Sequence, residues 1–248
     1  MSKHQATAPK SPSGSQHGSG DNPEARYVPP ERSKLIQIAS WLDRVLAAIL
    51  LMLLWPVLVL VALLVKLDCP SGPIFYKQER VGMNRRQSGD AREHFERRRS
   101  RGEGQPFRIW KFRTMVPDAE AKTGPVWASE NDPRITPIGR FLRKTRLDEL
   151  PQLVNVVKGE MRLVGPRPER PHFVNDFAES MPEYRKRLSV PPGITGLAQV
   201  EHEYDTDVED VRKKLRYDLF YIENRRPTMD LKILIKTLAV VITRKGAR

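Results

Sequence analysis

Residues 45–65 read VLAAILLMLLWPVLVLVALLV, a run of 21 residues without a charge. A straight helix of that length would reach roughly 30 Å, about the hydrocarbon thickness of a bilayer. A buried core helix of a soluble domain is the alternative, but the run is too long and too uniformly apolar to favour it. Together with its flanks, the run predicts a membrane helix over residues 34–67.

A proline in the middle of this run bears on how the helix sits in the membrane. Pro56 follows Trp55. A proline removes one helical hydrogen bond and clashes with the preceding turn, so a kink is expected there. Positive charge prefers the cytoplasmic side, and basic residues flank both ends of the run: Arg32, Lys34, Arg44, Lys66, Lys77 and Arg80. The flanks fit a helix that bends at Trp55 and Pro56 and returns to the face it entered from. The residues alone leave a spanning helix equally open.

The charge balance narrows the partners of the chain. Lys and Arg number 43 against 30 Asp and Glu, a net charge of +13. Such a balance favours anionic partners, namely nucleic acid, anionic lipid headgroups or phosphorylated substrates. Cys69 is the sole cysteine, which excludes an internal disulfide, and the five histidines show no zinc-ligand spacing.

The chain on either side of the membrane run differs in character. Residues 1–33 are rich in Ser, Gly, Pro, Gln and Lys, and they predict a disordered tail that is not a signal peptide. Residues 68–248 predict one mixed α/β domain that is mostly helical. Its strand and helix patterns cover 73–83, 107–115, a start at 138, then 147–158, 207–225 and 229–243.

Two segments of this domain suggest contact with anions or lipid. The arginine-rich stretch 84–106 is expected to be an exposed charged insertion with a short helix over 90–100. It favours either a solvated charged surface or a contact with anionic lipid or phosphate. The last helix, 229–243, combines apolar residues with scattered lysines and suits lying along a membrane interface.

Adjacent carboxylates, Asp148 and Glu149, are the first candidates for chemistry. Two acidic residues at the start of an apolar helix are explained as well by the helix dipole. Cations crowd the same turns, however: Arg140, Arg143, Lys144 and Arg146. A carboxylate pair among cations can bind Mg²⁺ together with phosphate oxygens, and an aspartate can attack phosphorus.

Rigid loops rich in Gly and Pro are the second candidates. Residues 163–171 present Arg167 between two prolines, where a preorganised guanidinium suits bidentate phosphate binding; a structural turn with an exposed arginine explains the pattern equally well. Residues 191–199 form another such loop, whose amides could cradle an anion, although a plain connector is the simpler interpretation. No nucleotide-binding glycine motif or nucleophile elbow occurs. The chain also lacks the aromatic-studded strands or recognition helix of a nucleic-acid binder, so no nucleic-acid partner is expected.

Taken in order, these motifs resemble the bacterial sugar transferases, the monotopic phosphoglycosyl transferases. The resemblance covers about residues 37–243. The matching stretches are KQERVG at 77–82, KFRTM at 111–115, TPIGRFLR at 136–143, LDELPQL at 147–153, KGEM at 158–161, VGPRP at 164–168, PGITG at 192–196 and MDLKI at 229–233.

The resemblance implies an architecture and a reaction. The architecture is a single re-entrant membrane helix hairpin followed by a compact cytoplasmic domain that rests on the inner membrane through interfacial amphipathic helices. The reaction moves a sugar-1-phosphate from a UDP-sugar to polyprenyl phosphate and releases UMP. Where this chain has Trp55-Pro56, the family often has Ser-Pro. A serine hydroxyl would help to satisfy the backbone carbonyls that the proline leaves without a donor, and tryptophan has no hydroxyl.

The resemblance also implies residue roles, with Mg²⁺ as the cofactor. Asp148 would be the nucleophile and Glu149 its Mg²⁺-linked partner, so that both belong to the metal site. The implied phosphate contacts and the remaining site residue are Lys111, Arg143, Arg167 and Asp230. The chain looks like the minimal form of the family, without extra N-terminal helices.

Several points stay open at the level of sequence. A non-enzymatic lipid-binding module and a pyrophosphatase-like hydrolase are the competing functions. The sugar, the glycan pathway and the oligomeric state, for which a homodimer is one option, are not specified by any motif.

Overall fold

The computed structural model describes residues 34–84, 104–121, 124, 132–201 and 208–243. The tail 1–33 and nearly all of the charged insertion, with its expected short helix, lie outside the described residues. Along the chain the elements are α1 (Lys34–Asp68), β1 (Phe75–Val81), β2 (Pro106–Phe112), α2 (Pro137–Thr145), a first 3₁₀ helix (Leu147–Gln152), α3 (Leu153–Lys158), β3 (Arg162–Val164), α4 (Pro171–Ser180), a second 3₁₀ helix (Pro182–Ser189), β4 (Gly193–Thr195), α5 (Leu197–Glu201), α6 (Val208–Asn224) and α7 (Pro227–Thr243). The first 3₁₀ helix carries the carboxylate dyad of Asp148 and Glu149 and is called the dyad 3₁₀ helix.

The described chain is mostly helical with two small sheets, as predicted. β1 and β2 form an antiparallel pair in which Tyr76 lies opposite Lys111. β3 and β4 form a short parallel pair. Ile109 and Lys111 point to the same face of β2, because side chains two apart share a face. Ile109 is buried in the main core, so Lys111 is directed inward beside it.

The membrane run forms one helix, α1, whose bounds match the predicted 34–67 within a residue. Of the described residues, only this helix is long and apolar enough to cross a membrane. Helix is continuous through Trp55 and Pro56, so the expected break into a hairpin is not confirmed. A proline removes only one helical hydrogen bond, and the turns on either side can stay helical around it.

Both halves of α1 pack against the rest of the domain. Ala47, in the first half, joins the main core with Val156 of α3. Val61 and Val65, in the second half, pack with Phe112 of β2 and Leu142 of α2. No residue between Ala47 and Val61 is fully buried, and large apolar side chains are exposed along the whole helix, as at Leu35 (66%), Met52 (74%) and Leu67 (76%).

The 147–158 region is two helices where the sequence predicts one. The dyad 3₁₀ helix comes first and α3 follows it directly. Pro151 lies in the middle of the region and lacks the N–H that an α-helical ladder would need. The left-handed backbone of Arg146 (φ 60°) separates the region from α2, so the dyad starts on a tight turn.

A glycine fixes the end of α3 against the membrane helix. Gly159 has φ 75°, a left-handed conformation that favours glycine. A Cβ built on Gly159 would lie 2.2 Å from the Arg44 guanidinium. The backbone conformation is what favours glycine at this position, since the flexible Arg44 side chain could move aside for a Cβ.

The C-terminal helices confirm the predicted positions of α6 and α7. β3, the second 3₁₀ helix, β4 and α5 were not predicted, because each has eight residues or fewer and gives no clear periodic pattern; the ten-residue α4 was not predicted either. On α7, Leu231, Ile235 and Leu238 are 58–62% exposed and recur at helical spacing. The helix therefore presents an apolar stripe that the described residues leave uncovered.

Candidate active site

The two carboxylates of the dyad are buried despite their charge. Asp148 and Glu149 are 7% and 9% exposed. They lie in the first turn of the dyad 3₁₀ helix, directly after the left-handed Arg146. Contacts between β2 and this helix bring Lys111 to the dyad from the neighbouring sheet.

Glu149 is held between two cations. Lys111 Nζ donates to Glu149 Oε1 at 2.7 Å, and Arg167 Nη2 donates to the same oxygen at 2.6 Å. Arg167 Nη1 approaches Oε2 at 3.4 Å. Burial disfavours the charged form of Glu149, but Arg167 and Lys111 prevail and hold its pKa well below the usual range. Glu149 is therefore a permanent anion.

Asp148 has the opposite character. Burial raises its pKa to about 6, with Lys111 opposing the shift and the negative Glu149 adding to it. Among the described residues, no side chain donates a hydrogen bond to Asp148. At neutral pH its carboxylate is mostly ionised, desolvated and not held by a direct donor, which are the properties of a reactive oxygen nucleophile.

Arg143, which is positioned by Thr114, adds a third cation to the site. Arg143 lies in the last turn of α2, and its Nε donates to Thr114 Oγ1 at 2.9 Å. Burial lowers the pKa of Arg143, and Asp148 acts in the opposite direction, so the two groups share one electrostatic environment. Lys111, Arg143 and Arg167 thus lie around the dyad, and their contact with substrate phosphates stays a prediction.

Asp230 makes its contacts with a different set of residues. Its carboxylate accepts a hydrogen bond from the Tyr221 hydroxyl at 2.8 Å and lies 3.5 Å from Arg162 Nη2. Arg162 Nε in turn donates to Asp43 of α1 at 2.6 Å. Burial raises the pKa of Asp230 to about 6. The observed contacts give Asp230 a role in joining α7, β3 and α1, and its membership of the reaction site stays a prediction.

The donors available for a metal are few. Among the described residues, no group of three or more His, Cys, Asp or Glu side chains is placed to hold a metal ion. Asp148 and Glu149 are adjacent, and Mg²⁺ is often held by one or two carboxylates together with substrate phosphates and water. The dyad fits that kind of site and does not fit a site built from protein ligands alone.

Two further arginines, Arg187 and Arg80, contact the loop that carries Arg167, and no sequence motif predicts these contacts. Arg187 is buried and pairs with Asp218, with Nε and Oδ2 2.7 Å apart. In the sequence it sits in the run Arg185-Lys186-Arg187, which is typical of a solvated surface. Arg80 belongs to a recognised motif, but only the structure shows its contact with the Arg167 loop.

Comparison with known proteins extends these observations. The model of the family described as bacterial sugar transferase matches residues 35–244. The chain is 40% identical over 211 residues to the UDP-N-acetylgalactosamine-undecaprenyl-phosphate N-acetylgalactosaminephosphotransferase of Aeromonas hydrophila. It is 38% identical over 208 residues to the UDP-glucose:undecaprenyl-phosphate glucose-1-phosphate transferase of Escherichia coli K12.

The coverage of these matches is uneven. They include 85% and 83% of this chain but only 45% and 40% of the Aeromonas and Escherichia proteins, so the chain spans less than half their length. A match to the exopolysaccharide production protein PSS of Rhizobium leguminosarum, 38% identical, covers 78% of this chain and 90% of that protein. On the extent of the family match and these identities, the chain belongs to the bacterial sugar transferase family.

Proposed function

We propose that the chain transfers a sugar-1-phosphate from a UDP-sugar to undecaprenyl phosphate, or a similar polyprenyl phosphate, through a covalent intermediate on Asp148. The activities named for its relatives support the substrates. The observation that carries the mechanism is the asymmetry of the dyad: Glu149 is locked between two cations, while Asp148 is buried with no described donor.

In the first step, an Asp148 carboxylate oxygen attacks the β-phosphorus of the UDP-sugar. A P–O bond to Asp148 forms as the bond to the bridging oxygen breaks, and UMP leaves with that oxygen and its electron pair. Lys111, Arg143 and Arg167 surround the dyad and offset the negative charge that gathers on the phosphoryl oxygens. The buried setting strengthens these interactions.

In the second step, a phosphate oxygen of the polyprenyl acceptor attacks the same phosphorus. The P–O bond to Asp148 breaks, the carboxylate is regenerated, and the product is a polyprenyl-diphospho-sugar. A covalent intermediate lets a water-soluble donor and a lipid acceptor use one site in turn. Such a product would serve as the first membrane-bound intermediate of exopolysaccharide, capsule, O-antigen or glycoprotein glycan assembly.

Mg²⁺ is proposed as the cofactor, held by Asp148 and Glu149 together with diphosphate oxygens. When bound, it would neutralise charge on the diphosphate and assist departure of UMP. Glu149 is prepared for this role because its carboxylate stays ionised.

The contacts of α1 support a re-entrant path over a spanning one. Asp43, near the start of α1, pairs with Arg162. At the other end, Arg113 Nη2 donates to the carbonyls of Cys69 and Val65 at 2.7 and 3.3 Å. A straight helix from Asp43 to Val65 would be roughly 33 Å long. One domain on one side of a bilayer could not hold both ends of a spanning helix.

Apolar exposure fits the same arrangement. One face of the middle of α1, with Met52, Leu53 and Trp55, and the α7 stripe of Leu231, Ile235 and Leu238 are uncovered by the described residues. We propose that the middle of α1 enters the bilayer, that α7 lies at its interface, and that the domain occupies the cytoplasmic face of the inner membrane. The dyad would then lie near headgroup height, where the acceptor phosphate is found.

Mass spectrometry of reaction products tests the proposed activity. The purified chain is incubated with Mg²⁺, undecaprenyl phosphate and each of a panel of UDP-sugars. A lipid product heavier than the acceptor by one sugar phosphate is expected with at least one donor. A hydrolase would break down UDP-sugar without lipid acceptor, and a lipid-binding module would give no product. Either result would contradict the proposal.

A further inference from the structure

The loop that carries Arg167 is held almost entirely through its carbonyl oxygens. Residues 166–169 read Pro-Arg-Pro-Glu, and the two prolines have no N–H to donate. Each of the four carbonyls accepts a hydrogen bond from outside the loop. A loop that is held at every carbonyl has little freedom to shift the guanidinium it presents.

Two of these bonds come from backbone amides. Gly193 N donates to the Pro166 carbonyl, and Val81 N donates to the Glu169 carbonyl, both at 2.9 Å. They attach the two ends of the loop to β4 and β1. Bonds of this kind are ordinary in short connections between strands.

The middle two carbonyls are held by arginines, of which Arg187 is buried and Arg80 is half-buried. Arg187 Nη2 donates to the Arg167 carbonyl at 3.0 Å, and Arg80 Nη1 donates to the Pro168 carbonyl at 2.9 Å. The two side chains are 9% and 15% exposed. Hydrogen bonds from a charged donor are stronger than those from a neutral one, so this pair restrains the centre of the loop more firmly than amides would.

Both arginines are themselves fixed by neighbouring elements. Arg187 Nε donates to Asp218 of α6 at 2.7 Å, and its Nη1 donates to the Tyr184 hydroxyl at 2.5 Å. Arg80 Nη2 donates to Gln78 Oε1 at 2.5 Å, along its own strand. Through these two arginines the position of the loop is fixed relative to α6 on one side and to β1 on the other.

We propose that Arg80 and Arg187 are positioning residues that act through Arg167. They fix the backbone of the loop so that the Arg167 guanidinium stays on Glu149 and faces the donor diphosphate. The part of this inference that concerns catalysis rests on the proposed transferase function. Preorganised charge is effective only where it is held in place, and a misplacement of about 1 Å can cost about 100-fold in rate.

Arg80→Lys is the principal test variant, because it keeps the charge but cannot keep all three contacts of the guanidinium, with the Pro168 carbonyl, Gln78 Oε1 and Glu169 Oε2. Arg187→Lys is the second variant and also breaks a buried ion pair. Arg134→Lys is the matched control, since Arg134 also donates to a loop carbonyl, that of Ala119, but outside the 166–169 loop. Hydrogen exchange of the purified chain, followed by mass spectrometry, measures the amides of Val81 and Gly193, which donate to the two end carbonyls of the loop.

Exchange of these amides should rise about tenfold or more in Arg80→Lys and stay at the wild-type rate in Arg134→Lys. This measurement needs no turnover, so it tests whether Arg80 and Arg187 hold the loop even if the wild-type chain is inactive. An inactive wild-type chain would count against the transferase proposal alone. Unchanged exchange in both Arg80→Lys and Arg187→Lys would overturn the proposal that these arginines hold the loop.

Kinetics test the link to Arg167. In Arg80→Lys, kcat for UMP release should fall about 10- to 100-fold while KM for the UDP-sugar changes less than about threefold. In an Arg167→Lys background, adding Arg80→Lys should cost almost nothing further. A full additional loss in that background would show that Arg80 acts independently of Arg167 and would overturn the inference.

Discussion

At the scale of single residues, two neighbouring carboxylates differ because their surroundings differ. Glu149 has two cations on one oxygen and remains ionised, whereas Asp148 is buried and lacks a described donor. Two like charges side by side also oppose each other's ionisation. The pair thus separates into a fixed anion and a titratable, reactive one.

The raised pKa of Asp148 predicts a pH dependence. Below about pH 6 the carboxylate gains a proton and loses its nucleophilic oxygen, so kcat/KM for UMP release should fall about tenfold per pH unit. Above that pH the rate should be level. The acceptor's monophosphate titrates in the same range, so the measurement is the single-turnover release of UMP without acceptor. A rate that is flat down to pH 5 would contradict this assignment.

Glu149→Gln should reduce both activity and stability. The substitution leaves Lys111 and Arg167 close together without their shared anion, and breaking a buried ion pair costs about 3 kcal/mol. The free energy of unfolding, measured by denaturant titration in detergent, should fall by about that amount. Glu120→Gln is the control, because Glu120 pairs with Arg170 at a more exposed position and should cost less than about 1 kcal/mol. Equal losses in the two variants would contradict the account of the dyad.

The sequence was informative about charges and uninformative about their partners. Lys111, Arg143 and Arg167 could be associated with the dyad from motifs, and the structure brings them together. Asp230 was assigned to the same site by resemblance, yet its contacts are with Tyr221 and Arg162. Pairings between residues far apart in the chain depend on packing, which no local pattern records.

At the scale of elements, α1 is long and apolar enough to cross a membrane and is also part of the core. Its apolar run predicted the first property. The second depends on Ala47, Val61 and Val65 meeting α3, β2 and α2, which a uniformly apolar run cannot show. The hairpin break expected at Pro56 is not confirmed, because α1 stays helical on both sides of the proline.

Arg162 is predicted to fasten the first half of α1. Arg162→Gln removes the bond to Asp43 and leaves two carboxylates near each other, so amide hydrogen exchange in residues 40–48 should rise and the free energy of unfolding should fall by about 3 kcal/mol. Lys236→Gln, which removes the exposed pair with Glu201, is the control and should cost less than about 1 kcal/mol. Unchanged exchange in residues 40–48 would show that packing alone holds the helix.

At the scale of the whole molecule, a basic domain packs along the apolar helix α1 and contacts it near both ends, through Arg162 and Arg113. The net charge of +13 favours the anionic cytoplasmic leaflet and anionic substrates. The mostly helical character, the membrane run and the later helices could all be predicted from periodicity. The strands β1 and β2 also lie on the predicted patterns at 73–83 and 107–115, whereas the three-residue strands β3 and β4 are too short to show a period.

The re-entrant path predicts that both flanks of α1 face the same side of the membrane. Single cysteines replacing Gly20 and Glu179 in a Cys69→Ser background can be labelled with a membrane-impermeant thiol reagent. In sealed, right-side-out spheroplasts both should be protected, and both should react after lysis. Labelling of one and protection of the other in sealed spheroplasts would indicate a spanning helix.

The central claim is that Asp148 is the covalent nucleophile, and UMP release by Asp148→Asn tests it most directly. Asparagine keeps the shape of the side chain but lacks the carboxylate. With a UDP-sugar that the wild-type chain uses, release should fall by at least about 1,000-fold, while the surface variant Asp176→Asn keeps the wild-type rate. Asp148→Asn that still releases UMP at a rate near wild type would contradict the account.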